Sequence, residues 1–171
     1  MGRKLNTAQE RAFEIRQRHA LRHPGDMEHI LEEENVEFVR FPLSGRLDEV
    51  IVLNTIAVRD SIEDARQVYE LLAHALGHYL LHAGNQIEFV LSTNLPLSDQ
   101  WERQAWDFAF ELLMPAGMIE ARLREGWSES DLQDDFEVSD EFLRRRMEAF
   151  RRDAAMQPKA AHREYEYVDD W

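Results

Sequence analysis

An amphipathic helix with two regularly spaced histidines is the feature that most constrains this chain. Over residues 61–82 the apolar side chains fall on one face at the 3.6-residue period of an α-helix. His74 and His78 stand four residues apart, so they lie one turn apart on the same side of that helix. Their stripe borders the apolar face, which predicts a helix that packs on its core side and turns histidines towards a cleft.

Two imidazoles one helical turn apart can bind a single metal ion. The same spacing also arises by chance on ordinary helices, so spacing alone leaves metal binding and coincidence both open. The frame is that of the zinc-peptidase motif H-E-x-x-H, in which the glutamate polarises the metal-bound water and shuttles its proton. Ala75 occupies the glutamate position in this chain, and alanine can perform neither task.

A third ligand is expected downstream of the histidine helix. His82 is a poor choice, because it follows His74 by two turns, about 12 Å along the axis, and is expected to support the ligands instead. On the next predicted helix, residues 98–114, Glu102 lies inside the apolar stripe, where an unpaired charge is costly. A metal ion would compensate that charge. The alternative is that Asp99 caps the helix and Glu102 completes a capping box, but the two histidines favour the metal.

Composition narrows the chemistry further. The chain has 171 residues and no cysteine, which excludes disulfides, thiolate catalysis and thiolate metal ligands. Its 34 acidic and 20 basic side chains give a formal net charge of −14, which argues against a sequence-independent grip on nucleic acid. No apolar run reaches the roughly 20 residues of a membrane span, and no signal-peptide pattern is present. We therefore expect a cytoplasmic protein without membrane contact.

The remaining pattern predicts an α+β fold that is mostly helical, with a small antiparallel sheet packed on the histidine helix. Strands are predicted at residues 36–41, 50–53 and 56–58, and the turn signal at residues 42–45 predicts an antiparallel hairpin. A further short strand is predicted at residues 87–91. Other helices are expected at residues 7–19, with a capping box of Thr7 and Glu10, and at residues 26–34, 118–125, 128–136 and 139–152.

Two segments of the chain resemble the ImmA/IrrE family of metallopeptidases, a gluzincin-like group. Residues 74–82 read HALGHYLLH against the family pattern H-E-L-G-H-x-L-L-H. Residues 102–115 read ERQAWDFAFELLMP against E-x-x-A-x-x-F-A-x-x-L-L-M-P. The resemblance covers about residues 8–150 and implies a Zn²⁺ ion held by His74, His78 and Glu102, with the catalytic glutamate replaced at Ala75.

The resemblance also implies a partner and a division of the chain. Family members cleave a repressor of the helix-turn-helix type and so release phage, mobile-element or stress-response genes. A peptidase-like domain is expected at residues 1–116 and a helix-turn-helix-like part at residues 117–152, followed by a flexible tail at residues 153–171. Many thermolysin-like enzymes place an acidic residue one turn after the ligand glutamate; Trp106 holds that position, and neighbouring Asp107 is expected to support the ligands or line the cleft.

The helix-turn-helix-like part is a weak DNA reader on its sequence. Asp140 and Glu141 open its second helix, where phosphates would have to approach, and Ser139 is expected to cap that helix. Residues 144–146 are three consecutive arginines that must point in different directions. Packing or partner docking is therefore favoured over direct DNA contact.

Ala75 has two explanations. Either glutamate was replaced to silence the protease, or the protein is a natural pseudoprotease that binds a repressor or antitoxin without cleaving it. Drift after the loss of catalysis should erode the metal ligands too, and all three survive. The sequence therefore favours a deliberate substitution in a zinc peptidase.

Overall fold

Helices make up most of the molecule. The computed structural model describes residues 5–21, 23–45, 47–82 and 99–156. In the described part, a single 3₁₀ turn at Pro24–Asp26 precedes the second helix. The helices are α1 (Thr7–His19), α2 (Met27–Glu33), α3 (Ala65–Leu81), α4 (Asp99–Leu113), α5 (Ala116–Arg124), α6 (Glu129–Phe136) and α7 (Asp140–Met156).

Helix α1 begins as predicted, but its capping box is shifted by one residue. Asn6 is the N-cap: its side chain accepts from the Gln9 backbone N–H at 3.0 Å, and its own N–H donates to the Gln9 side chain at 3.1 Å. The expected box of Thr7 and Glu10 is therefore wrong. An amide pair satisfies the free N–H groups of the first turn as well as the hydroxyl and carboxylate pair would.

Three short strands form a mixed sheet, so the α+β class is confirmed but the purely antiparallel sheet is wrong. The strands are β1 (Glu37–Phe41), β2 (Glu49–Val52) and β3 (Thr55–Arg59), in the order β1-β3-β2. β2 and β3 form a tight antiparallel hairpin, whereas β1 runs parallel to β3. Residues 42–45 therefore do not close a hairpin between β1 and β2. The two strands lie on opposite sides of β3.

Helices α3 and α4 pack closely and form the centre of the core. Gly77 makes this approach possible, because a Cβ built at that position would stand 3.0 Å from the Ala105 carbonyl oxygen and 3.0 Å from Phe108 Cδ1. The sheet lies against α3, and one buried apolar cluster runs from Ala8 to Ala149. The small residue at position 77 thus brings the N-terminal half of α4 close to the two histidines.

The bounds of the central helices differ from the prediction most at the start of α3, and both helices end one residue earlier than predicted. Helix α3 begins at Ala65 rather than near residue 61, because Asp64 caps it by accepting from the Arg66 N–H at 3.0 Å. Helix α4 begins at Asp99. The strand predicted at residues 87–91 lies outside the described residues. No helix in the described ranges has the length and apolar character that a membrane span requires.

The C-terminal helices pack on the end of α4. The Ser139 hydroxyl accepts from the Phe142 N–H at 3.2 Å, which confirms Ser139 as the cap of α7. Buried Arg146 donates to the Met114 carbonyl at 2.8 Å and to Glu111 at 3.1 Å. Helix α7 reaches Met156, within the segment expected to be a tail. The division between residues 116 and 117 stays a prediction.

Candidate metal centre

Two imidazoles and one carboxylate meet between α3 and α4. His74 and His78 project from successive turns of α3, and their rings lie edge to face with centroids 4.7 Å apart. Glu102, in the first turn of α4, places one carboxylate oxygen 3.5 Å from His74 Nε2 and the other 3.3 Å from His78 Nε2. The structure thus brings together all three ligands that the sequence predicts.

The donor atoms have the spacing and the environment that a small metal ion needs. His74 Nε2 and His78 Nε2 are both buried, and neither has a hydrogen-bond partner among the described residues. One donor atom from each of the three residues lies within 4.8 Å of the others. In a tetrahedral site with bonds of about 2 Å, ligand atoms are separated by about 3.3 Å. The two buried nitrogens and Glu102 therefore fit a metal ion.

The position of Glu102 also decides against the capping alternative. A capping-box glutamate turns its carboxylate back to the N–H at the helix start. Here the carboxylate faces the two imidazoles, and the pKa of Glu102 falls well below its usual value, chiefly because of its contacts with His74 and His78. The carboxylate is therefore ionised and available as a ligand.

His74 is oriented by a residue that the sequence did not indicate. Its Nδ1 hydrogen-bonds to Glu49 on β2, and Glu49 stands 25 residues earlier in the chain. Burial alone would lower the pKa of His74, but the carboxylates of Glu49 and Glu102 outweigh it and raise the pKa to about 9. A metal ion at Nε2 would take the place of the proton there, leaving the Nδ1–H to donate to Glu49.

His78 is oriented by a chain of neutral groups. Its Nδ1 lies 3.1 Å from His82 Nδ1, and His82 Nε2 lies 3.0 Å from the Gln104 side-chain oxygen. If His78 Nε2 binds a metal, its Nδ1–H donates to His82, whose Nε2–H then donates to Gln104. Burial lowers the pKa of His82, which favours the neutral ring that this chain requires. His82 thus lies in contact with His78, where the predicted supporting role would place it.

An aromatic layer covers the outer side of the centre. The Trp106 ring stacks on His74 with centroids 4.2 Å apart, and the Arg145 guanidinium lies 3.7 Å from the Trp106 ring centroid. The Trp101 ring stacks on His82 at 4.8 Å. These contacts restrict the rotation of the imidazoles and keep them desolvated.

Asp107 lies away from the metal centre. Its carboxylate accepts from the Asn6 side-chain amide at 2.9 Å, next to α1, and Asp107 does not line the cleft. Five residues along a helix correspond to a rotation of about 140°, so the side chain that follows Trp106 cannot share the face of Glu102. Burial raises the pKa of Asp107 in this position.

A cleft of about 350 Å³ opens beside the three ligands, between β2 and the two central helices. Asp48 pairs with Arg59 at 3.1 Å, and Glu102 faces both imidazoles. Glu49 contacts His74 through one oxygen, and its other oxygen is buried without a hydrogen-bond partner among the described residues. Ala75 is fully buried and lies between the two ligand positions on α3. Each carboxylate of the described cleft wall thus contacts either an arginine or a predicted ligand histidine. The residues that line it are Leu47, Asp48, Glu49, Val50, Ile51, Leu71, His74, His78, Glu102 and Trp106.

Two histidines one turn apart on a helix, packed against a small sheet and joined by a glutamate from α4, are typical of a metallopeptidase. Residues 26–148 match the peptidase family M78, described as the IrrE N-terminal-like domain. The chain belongs to this family of metallopeptidases, which confirms the resemblance seen in the two sequence segments and implies a bound metal ion. No curated protein matches the chain significantly.

Proposed function

We propose that this chain binds Zn²⁺ through His74, His78 and Glu102 and, with glutamate at position 75, is an endopeptidase that cleaves a helix-turn-helix repressor. The observation that carries the proposal is the pair of buried Nε2 atoms without hydrogen-bond partners among the described residues, both facing one ionised carboxylate. Leaving two such atoms unsatisfied in the core is costly without an ion.

Zinc fits the donor set better than harder cations do. Two imidazole nitrogens and one carboxylate oxygen suit a tetrahedral ion with one open position, whereas Mg²⁺ and Ca²⁺ prefer sites built from oxygen. When bound, the ion would polarise the scissile carbonyl and lower the pKa of a water molecule in the open position. The protein's task is to orient the ligands and to exclude competing water from the cleft.

The missing glutamate accounts for an inactive form of this chain. Ala75 can neither take nor return a proton, and the described carboxylates of the cleft contact Arg59 or the predicted ligand histidines. The ligands and the groups that orient them, Glu49 and His82, remain in place. This preservation favours a substitution that silences a working peptidase over long drift of a pseudoprotease.

The substrate side of the proposal rests on an edge strand and on charge. Among the described strands β2 is at one edge of the sheet, and it lines the cleft, so an extended segment of a partner can add to it beside the metal centre. The net charge of −14 favours a basic partner such as a DNA-binding repressor. Cleavage in the cytoplasm would release phage, mobile-element or stress genes from repression.

The test restores a glutamate at position 75 as the general base. Ala75→Glu is incubated with zinc and the helix-turn-helix repressor encoded by the neighbouring gene, with Ala75→Gln as a control of equal size that cannot accept a proton. We expect cleavage by Ala75→Glu at a rate at least 100-fold above that of the control, the order of contribution of a general base. Metal content is measured in each variant. Zinc-loaded Ala75→Glu that leaves the repressor intact would contradict the catalytic proposal.

A second function is favoured by Ala75 itself, namely a metal-stabilised module that sequesters a repressor or antitoxin. It predicts tight binding of the repressor by the unaltered chain and no cleavage by zinc-loaded Ala75→Glu.

Direct DNA binding is less favoured, because the arginines of α7 have partners within the chain: Arg144 pairs with Glu141 at 2.6 Å, and Arg146 is buried against Glu111. A salt-sensitive shift of duplex DNA would restore that possibility.

A further inference from the structure

Glu49 combines burial, charge and a contact with a predicted metal ligand. It opens β2, and its side chain points to the α3 side of the sheet, with 16% of its surface exposed. One carboxylate oxygen hydrogen-bonds to His74 Nδ1, and the other is buried with no hydrogen-bond partner among the described residues. A carboxylate kept in such a place needs a compensating positive charge nearby.

The geometry gives Glu49 a task that no other described group performs. An imidazole that binds a metal through Nε2 must carry its proton on Nδ1, and an acceptor at Nδ1 fixes both this tautomer and the ring orientation. Trp106 contacts the same ring, but an indole offers no lone pair to an N–H donor. The Nδ1 of His78 contacts the His82 ring, so among the described residues Glu49 is the only carboxylate that contacts the Nδ1 atom of either histidine.

We propose that Glu49 is a positioning residue of the metal centre, which holds His74 in the metal-binding tautomer and adds the second negative charge that balances a divalent ion. The inference rests on the proposed zinc site and extends it to the sheet. Because β2 also lines the cleft, the strand that borders the substrate site carries the residue that orients a ligand.

The test measures metal affinity rather than catalysis. Glu49→Gln keeps an oxygen that can accept the Nδ1–H but removes the charge, whereas Glu49→Ala removes both. Glu37→Gln is the matched control, because Glu37 is an exposed carboxylate at the start of β1 in the same sheet. The dissociation constant for Zn²⁺ is measured by competition with a chromophoric chelator, and the visible absorption of the Co²⁺-loaded protein reports ligand geometry.

We expect zinc affinity to fall about 10-fold in Glu49→Gln and about 100-fold in Glu49→Ala, with an altered Co²⁺ spectrum in the alanine variant. Glu37→Gln should keep the affinity of the unaltered chain. Thermal unfolding without metal distinguishes this role from a purely structural one. A purely structural role would lower the unfolding midpoint of Glu49→Ala and leave its zinc affinity unchanged. Unchanged affinity in Glu49→Ala would overturn the inference and leave the zinc site standing. No zinc binding by the unaltered chain would overturn both.

Discussion

At the scale of single residues, His82 is expected to act on the metal through His78. When His78 binds a metal through Nε2, its Nδ1–H donates to His82 Nδ1, so His82→Ala frees the His78 ring to rotate. We expect zinc affinity to fall about 10-fold, measured by chelator competition. His29→Ala is the control, since His29 is an exposed histidine on α2. Equal affinities in the two variants would show that His82 does not support the site.

The three proposed ligands could be predicted from local sequence because each depends on one helix. A spacing of four residues places His74 and His78 together on any helix, and a charge within an apolar stripe marks Glu102. Glu49 could not be found in this way, because its contact with His74 depends on how β2 packs against α3. Nothing in the alternation of residues 49–52 distinguishes an acid that faces a metal centre from one that faces solvent.

At the scale of elements, the close packing of α3 on α4 depends on Gly77. In Gly77→Ala the added methyl group would press on the Ala105 carbonyl and on Phe108, both at 3.0 Å. Overpacking outweighs the better helix propensity of alanine, so we expect the free energy of unfolding to fall by about 1 to 2 kcal/mol. Zinc affinity should fall as well, because α4 carries Glu102. Urea unfolding and chelator competition measure the two effects.

Gly25→Ala is the control for Gly77→Ala. A Cβ at Gly25 would meet only the Tyr69 hydroxyl, at an ordinary 3.9 Å, so we expect a change within about 0.5 kcal/mol. If Gly77→Ala were as stable as Gly25→Ala, the helices would have room to separate. Glu102 would then not be held by helix packing.

The positions of the strands could be predicted from the sequence, but their pairing in the sheet could not. The three strands are visible as apolar alternation, but their pairing is set by the connections. Residues 42–45 contain Pro42 and Gly45, which indicate a chain reversal, yet β1 pairs in parallel with β3. Leu53 has a positive φ of 55°, which lets the short β2–β3 connection close the hairpin instead. The turn with the stronger sequence signal, at residues 42–45, is therefore not the turn of the hairpin.

At the scale of the whole molecule, a buried ion pair fastens α7 to the end of α4. Arg146 and Glu111 have side chains 1% and 2% exposed, and they are 3.1 Å apart. Arg146→Met leaves the carboxylate buried without its cation, and we expect a loss of about 3 to 5 kcal/mol of unfolding free energy. Arg144→Met, at an exposed position of the same helix, should change stability by less than about 1 kcal/mol. Similar losses in both variants would contradict this role of Arg146.

The same ion pair explains why three consecutive arginines are weak evidence for DNA binding. Arg144 pairs with Glu141 on the surface, Arg145 lies over Trp106, and Arg146 enters the core. The sequence predicts their divergence from helical geometry alone. It could not predict that Arg145 reaches the aromatic layer over His74, because that contact depends on the packing of α7 against α4.

The central claim is that His74, His78 and Glu102 together hold one metal ion. Anomalous diffraction from crystals of the unaltered chain grown with zinc, recorded at the zinc absorption edge, tests it most directly. We expect one strong peak between α3 and α4, about 2 Å from both Nε2 atoms and from a Glu102 oxygen, and its loss in Glu102→Gln crystals. A zinc peak elsewhere on the molecule with none between the helices would contradict the claim. Full zinc occupancy between the helices in Glu102→Gln crystals would contradict it as well.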